Sequence, residues 1–67
     1  MAKIQLNGRK ISLKQKLSLS DLLKKYKLDQ NKVAIELNGK IVNRNMYKKR
    51  VIKGKDKIEV VHFIGGG

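Results

Sequence analysis

The chain is 67 residues long, has no Cys, Pro or Trp, and sets 17 Lys and Arg against 5 Asp and Glu, for a formal charge of +12. That length allows one small domain, and a chain of this size buries only about 60% of the surface its unfolded form exposes, so no deep enclosed active site is expected. Without cysteine there is no disulfide framework, no thiolate metal site and no catalytic thiol. His62 is the only imidazole. A Ser-His-Asp site would hang on that one residue, a metal site would lack a second His, and self-contained catalysis is not expected.

The longest run free of charged side chains is Val60 to Gly67, far short of the roughly 20 apolar residues of a membrane span. The start, Met1-Ala2-Lys3-Ile4-Gln5-Leu6-Asn7-Gly8, has neither an apolar signal region nor an Arg- and Ser-rich transit pattern, which predicts a cytoplasmic protein. All but Arg9, Arg44 and Arg50 of the basic residues are Lys, spread from Lys3 to Lys57. The densest clusters, Lys24-Lys25 with Lys27 and Lys48-Lys49-Arg50, lack the interleaved aromatics that stack on bases. They read as a solvated surface with non-specific attraction for anions, rather than a dedicated nucleic-acid site.

In chain order, Ile4 and Leu6 alternate with polar neighbours, then Ile11 and Leu13 do the same. Period two marks half-buried strands, and Asn7-Gly8 between them is the signature of a type I′ turn, so a hairpin over 3–7 and 9–14 is predicted. Leu19, Leu22, Leu23 and Tyr26 follow at i, i+3, i+4 and i+7, one face of a helix over 19–27. Ser18 is placed to cap it, Asp21 to favour its positive end, Leu17 and Leu22 to form a hydrophobic staple, and Lys24, Lys25 and Lys27 to sit at its negative end. Val33, Ile35 and Leu37 then alternate up to Asn38-Gly39, which turns into Lys40-Ile41-Val42 as a second strand pair. A short helical turn over 43–47, Val51-Ile52, a turn at Gly54-Lys55-Asp56 and a last strand over 57–64 complete the chain.

One amphipathic helix can bury its stripe only against one sheet, so the order β, β, α, β, short β, turn, β predicts an α+β two-layer domain. The compact solution is a ubiquitin-like β-grasp, a mixed sheet of about five strands on one main helix with the last strand central, over 1–64. The last strand places Ile58, Val60, His62 and Ile64 on one face and Glu59, Val61 and Phe63 on the other. Val61 and Phe63 fit either a partly covered second face or a docking patch for another protein, and His62 fits a surface or rim position. Gly65-Gly66-Gly67 cannot pack and carries maximal backbone entropy, which predicts a flexible tail able to thread a narrow tunnel and bring a carboxylate close to a nucleotide phosphate.

Val33-Ala34-Ile35-Glu36-Leu37-Asn38-Gly39, Ile41-Val42, Arg44, Tyr47 and Asp56-Lys57-Ile58-Glu59-Val60-Val61 running into Gly65-Gly66-Gly67 closely resemble the sulfur carrier family of thiamin biosynthesis, ThiS. Where the family often has Pro, Trp and a Gly-Asp pair, this chain has Asn43, Tyr47 and Lys55-Asp56, with Gly54 one place early. The resemblance implies a carrier rather than an enzyme. In such a carrier an E1-like adenylyltransferase, using ATP and Mg²⁺, transfers AMP to the Gly67 carboxylate. A cysteine desulfurase or sulfurtransferase supplies sulfur, and the resulting thiocarboxylate serves thiazole synthase. Gly67 then carries the sulfur, Gly65 and Gly66 supply reach, and Val61 and Phe63 are candidates for docking, with no cofactor held by this chain. Two rivals share the fold: a carrier for molybdopterin synthesis or tRNA thiolation, and a basic β-grasp module for nucleic acid. The last predicts salt-sensitive binding that survives deletion of Gly66-Gly67.

Overall fold

A computed structural model of the chain describes residues 2–63. The first hairpin is β1 (Ala2–Leu6) and β2 (Arg9–Leu13), with Ile4 opposite Ile11. Its turn has φ of 51° at Asn7 and 81° at Gly8, the two positive values a type I′ turn requires. β3 (Val33–Leu37) and β4 (Lys40–Val42) form the second hairpin, and Asn38 and Gly39 repeat the same conformation at 53° and 86°. β5 (Lys57–His62) lies between the hairpins in a five-stranded sheet of order β2-β1-β5-β3-β4. It runs parallel to β1 and antiparallel to β3, so the sheet is mixed and its last strand central, as predicted.

The helix α1 (Leu19–Lys25) is shorter than the 19–27 span the apolar spacing predicts. Its start follows the expectation: Ser18 and Asp21 form a reciprocal capping box, each side chain bonded to the other's backbone N–H. The Ser18 N–H, the Ser18 hydroxyl and the charge of Lys24 hold the Asp21 carboxyl below its usual range. The next free N–H groups, those of Leu19 and Ser20, donate to the Arg50 and Tyr47 carbonyls at 3.0 and 2.9 Å. Two of the orphan donors of a helix N-terminus thus anchor the 43–53 segment to the helix.

At its other end the helix closes in a Schellman motif, with Leu28 N–H on the Leu23 carbonyl and Lys27 N–H on the Lys24 carbonyl. The left-handed residue that this motif needs is Lys27, at φ 58°, where glycine would be easier. The reversal turns Tyr26 outward, 43% exposed, which corrects its expected place on the buried face. Leu28, two residues on, packs against the core instead.

The core lies between α1 and one sheet face, where Leu19, Leu22 and Leu23 meet Ile4, Leu13, Val33, Ile35, Leu37, Ile58 and Val60. Tyr47 and Ile52 seal it from the connecting segment. Tyr47 follows the short 3₁₀ turn Arg44–Met46, is 2% exposed, and its hydroxyl accepts the Ile35 N–H at 3.2 Å. Val51 forms an isolated bridge to Ser18 at the helix start, and farther on Lys55 N–H donates to the Lys3 carbonyl of β1 at 2.7 Å, so the segment before β5 is tied to both. β5 ends at His62 rather than at residue 64, and Ile64 with the glycine tail lies outside the described residues.

Candidate functional site

The predicted tail Gly65-Gly66-Gly67 and the domain boundary at residue 64 fall outside the described residues, so the site is built from what leads to them. That is β5, held from both sides. On one side all of Lys32 to Asn38 engages it: Phe63 N–H donates to the Lys32 carbonyl at 2.9 Å, Val33 to Leu37 pair with His62 to Ile58, and Asn38 N–H reaches the Lys57 carbonyl at 2.8 Å. On the other side β1 pairs through Gln5 and Leu6 only. Asn7 then continues the ladder with its backbone on the Ile58 carbonyl at 2.9 Å. Its side-chain amide completes the pairing, accepting the Val60 N–H at 2.7 Å and donating to the Val60 carbonyl at 3.4 Å. One residue thus makes the first turn and ties it to the root of the tail.

The beginning of β5 is fastened by Asp56, 6% exposed. Its carboxylate accepts from Lys53 N–H at 2.8 Å and Asn38 Nδ2 at 3.0 Å, and lies 3.4 Å from Arg50 Nη2. Asn38 Oδ1 in turn accepts the Lys57 N–H at 2.8 Å. A buried carboxylate is tolerated only when its oxygens are this well partnered. The tight turn that aims Asp56 has its positive φ, 71°, at Lys55. Lys55 is the position where the resemblance sets a glycine, and Gly54 beside it needs no such freedom.

Val61 and Phe63 are 58% and 45% exposed, as a docking role requires, and His62 is exposed as expected. Val61 pairs with Ala34 on the sheet face away from the helix. Ile41 shares that outer face at 76% exposure. Sequence reading missed it, although the hairpin register that follows from Asn38-Gly39 sets Ile41 opposite Glu36 and so points it outward. Glu36 in turn faces Glu59. The outer face is therefore divided: β1 and β2 contribute Lys3, Gln5, Lys10 and Ser12, while β3, β4 and β5 contribute Ala34, Ile41 and Val61 around Glu36, Lys57 and Glu59. Among the described residues there is no group of three or more His, Cys, Asp or Glu placed to hold a metal, and no helix is long and apolar enough to cross a membrane. What this arrangement offers chemically is a rigid strand with an exposed flank, continuing into a sequence of three glycines.

A family model described as the ThiS family matches residues 3–67. The chain is 37% identical over 65 residues to the sulfur carrier protein ThiS of Bacillus subtilis, covering 96% of this chain and 98% of that one. It is 43% identical over 65 residues to a thiazole synthase of Magnetococcus marinus, covering 97% of this chain but only 20% of that enzyme. Among solved structures, the crystal structure of the thiamine biosynthesis protein ThiS from Geobacter metallireducens matches with a TM-score of 0.82 at 29% identity, over 97% of this chain and 99% of the other.

Proposed function

This chain belongs to the ThiS family, it is a sulfur carrier of thiamin biosynthesis, and from that premise we propose that the Gly67 carboxylate is the atom group that carries the sulfur. The observation that supports this most is the extent of the family match, which starts in β1 at residue 3 and reaches residue 67. A carboxylate is a poor electrophile because its leaving group would be oxide. Transfer of AMP from ATP onto Gly67 releases pyrophosphate and makes a mixed anhydride. The terminal sulfur of a persulfide attacks its acyl carbon and expels AMP, and a thiol then cleaves the S–S bond to free the thiocarboxylate. The catalytic groups, the ATP and the Mg²⁺ belong to an E1-like adenylyltransferase, and the persulfide to a desulfurase or sulfurtransferase. What this chain supplies is reach: Gly65 and Gly66, with no Cβ, let the terminal carbon enter a channel too narrow for other residues.

Thiazole synthase is the sulfur acceptor in this reading. Support comes from the Magnetococcus marinus thiazole synthase, one fifth of which is similar to nearly all of this chain, as expected where carrier and acceptor act in succession. Val61 and Phe63, at the root of the tail, are the docking contacts. The carrier is read as cytoplasmic, because the reaction draws on ATP and cysteine.

Intact mass spectrometry tests the proposal after incubation with ATP, a cysteine-fed sulfur source and an E1-like enzyme. The expected result is a mass gain of one oxygen-for-sulfur exchange, mapped to the C-terminal peptide and absent from a chain lacking Gly67. An unchanged mass with an enzyme that thiolates a related carrier would remove Gly67 from the reaction.

A further inference from the structure

The parallel ladder between β1 and β5 climbs in even steps: Gln5 N–H donates to the Asp56 carbonyl and Asn7 N–H to the Ile58 carbonyl, each at 2.9 Å. The next rung would join Val60 N–H to the main-chain carbonyl of residue 7. At that point the backbone is turning toward β2, and the side-chain carbonyl of Asn7 takes the rung instead at 2.7 Å, while Nδ2 lies 3.4 Å from the Val60 carbonyl. Val60 is buried, so its peptide groups need this partner. On this side of β5 the Asn7 amide makes the last bond among the described residues, whereas on the other side β3 pairing reaches His62 and Phe63 N–H still finds the Lys32 carbonyl. The outgoing end of β5 is held from both sides only as far as Asn7 reaches.

Asn38 supplies the comparison. It occupies the same place in the other Asn-Gly turn, with φ of 53° against 51°, and its amide also turns onto β5, Oδ1 accepting the Lys57 N–H and Nδ2 donating to the Asp56 carboxylate. One turn amide thus fastens the incoming end of β5, and the other fastens the end from which the chain leads on to Gly67. Glycine restricts its own backbone least of all residues, so the aim of a carboxylate borne on glycines has to come from the strand before them. In catalysis a misplacement of about 1 Å can cost about a hundredfold in rate, even when its cause lies far from the chemistry.

Resting on the reading that Gly67 carries the sulfur, we propose that Asn7 is a positioning residue for the activation of Gly67: its side-chain amide keeps the outgoing end of β5 in the sheet and so sets the line along which the carrier's end enters the activating enzyme. Asn7 acts through Val60 and touches neither ATP nor the reacting carbon. Without its amide, the end of β5 is in the sheet for only a fraction of the time, and the enzyme draws on that fraction. The apparent KM for the carrier then rises by the inverse of the fraction, and kcat stays.

The test measures initial rates of thiocarboxylate formation by intact mass spectrometry over a range of full-length carrier concentrations, with ATP, a cysteine-fed sulfur source and an E1-like enzyme that thiolates a related carrier. Thermal melting and amide hydrogen exchange are measured on each free variant. Asn7→Gly accepts the positive φ of the turn and keeps the backbone bond to Ile58, so it removes the amide alone. It is expected to raise the carrier KM about tenfold with kcat within about twofold of wild type, and to speed exchange at Val60 but not at Ile35. Asn7→Asp suits the turn equally, keeps an acceptor for the Val60 N–H, and is expected to recover part of the loss. Asn38→Gly deletes the same group at the incoming end of β5, and is expected to lower the melting temperature at least as much while leaving the carrier KM unchanged. A wild-type KM for Asn7→Gly, or equal rises in KM for Asn7→Gly and Asn38→Gly, overturns the proposal and leaves Gly67 as the sulfur-carrying group. A wild-type chain that gains no sulfur overturns both.

Discussion

On the inner face of the sheet, Ile4, Leu13, Val33, Ile35 and Ile58 are at most 2% exposed and close against the helix. On the outer face of the same sheet, Ile41 and Val61 stand 76% and 58% exposed around a pair of facing glutamates. Both faces carry β-branched residues, so strand propensity alone does not separate them. What separates them is cover: the one helix closes one face, and the other keeps Ile41 and Val61 exposed among charged and polar side chains.

That contrast can be broken most sharply by matched truncations on β5. Ile58→Ala should cost about 2–5 kcal/mol of unfolding free energy in a urea titration, since it opens a cavity among Leu22-type neighbours that cannot fully collapse. Val61→Ala, three residues away, should change stability by less than about 0.5 kcal/mol while weakening binding to the partner enzyme. Equal destabilisation by the two would make the outer face structural. A smaller effect is expected at Tyr47, whose hydroxyl satisfies the buried Ile35 N–H. Tyr47→Phe keeps the ring and strands the amide, at a cost of about 1–3 kcal/mol, seen also as faster hydrogen exchange at Ile35. The smallest effect, and the only gain, belongs to positions on neither face. Lys27→Gly and Lys55→Gly should each stabilise the chain by about 0.5–1 kcal/mol, because left-handed backbone costs lysine more than the extra chain entropy costs glycine. At about 4–8 °C per kcal/mol for a domain of this size, thermal melting resolves it.

Much of the architecture was legible because local signals agreed with the tertiary structure. Asn7-Gly8 and Asn38-Gly39 announced both hairpins, Ser18 and Asp21 announced the helix start, and a single helix forced a two-layer fold. The helix end was not legible, since Lys27 takes a conformation that composition assigns to glycine. Tyr26 was misplaced for the same reason: spacing counted from Leu19 loses meaning once the chain has left the helix. Nor could periodicity reveal Tyr47 as a core residue, because it is buried from a 3₁₀ turn whose position depends on helix N–H groups finding the Tyr47 and Arg50 carbonyls. At the candidate site, the exposure of Val61 and Phe63 followed from strand parity. The Glu36–Glu59 pair required a register between strands 23 residues apart in sequence, which no local pattern carries.

The placement of β5 also has a mechanical consequence. β5 is bonded to β1 on one side and to β3 on the other, and the described chain ends one residue beyond it at Phe63. A load applied at Phe63 along the axis of β5 acts across the hydrogen bonds that hold the strand. Under such shear the bonds to both neighbours, and those of the Asn7 amide, bear the load together, whereas a strand peeled from a sheet edge would lose them one at a time. A pull on the end of β5 is thus shared across the sheet at once and leaves the core beneath it closed.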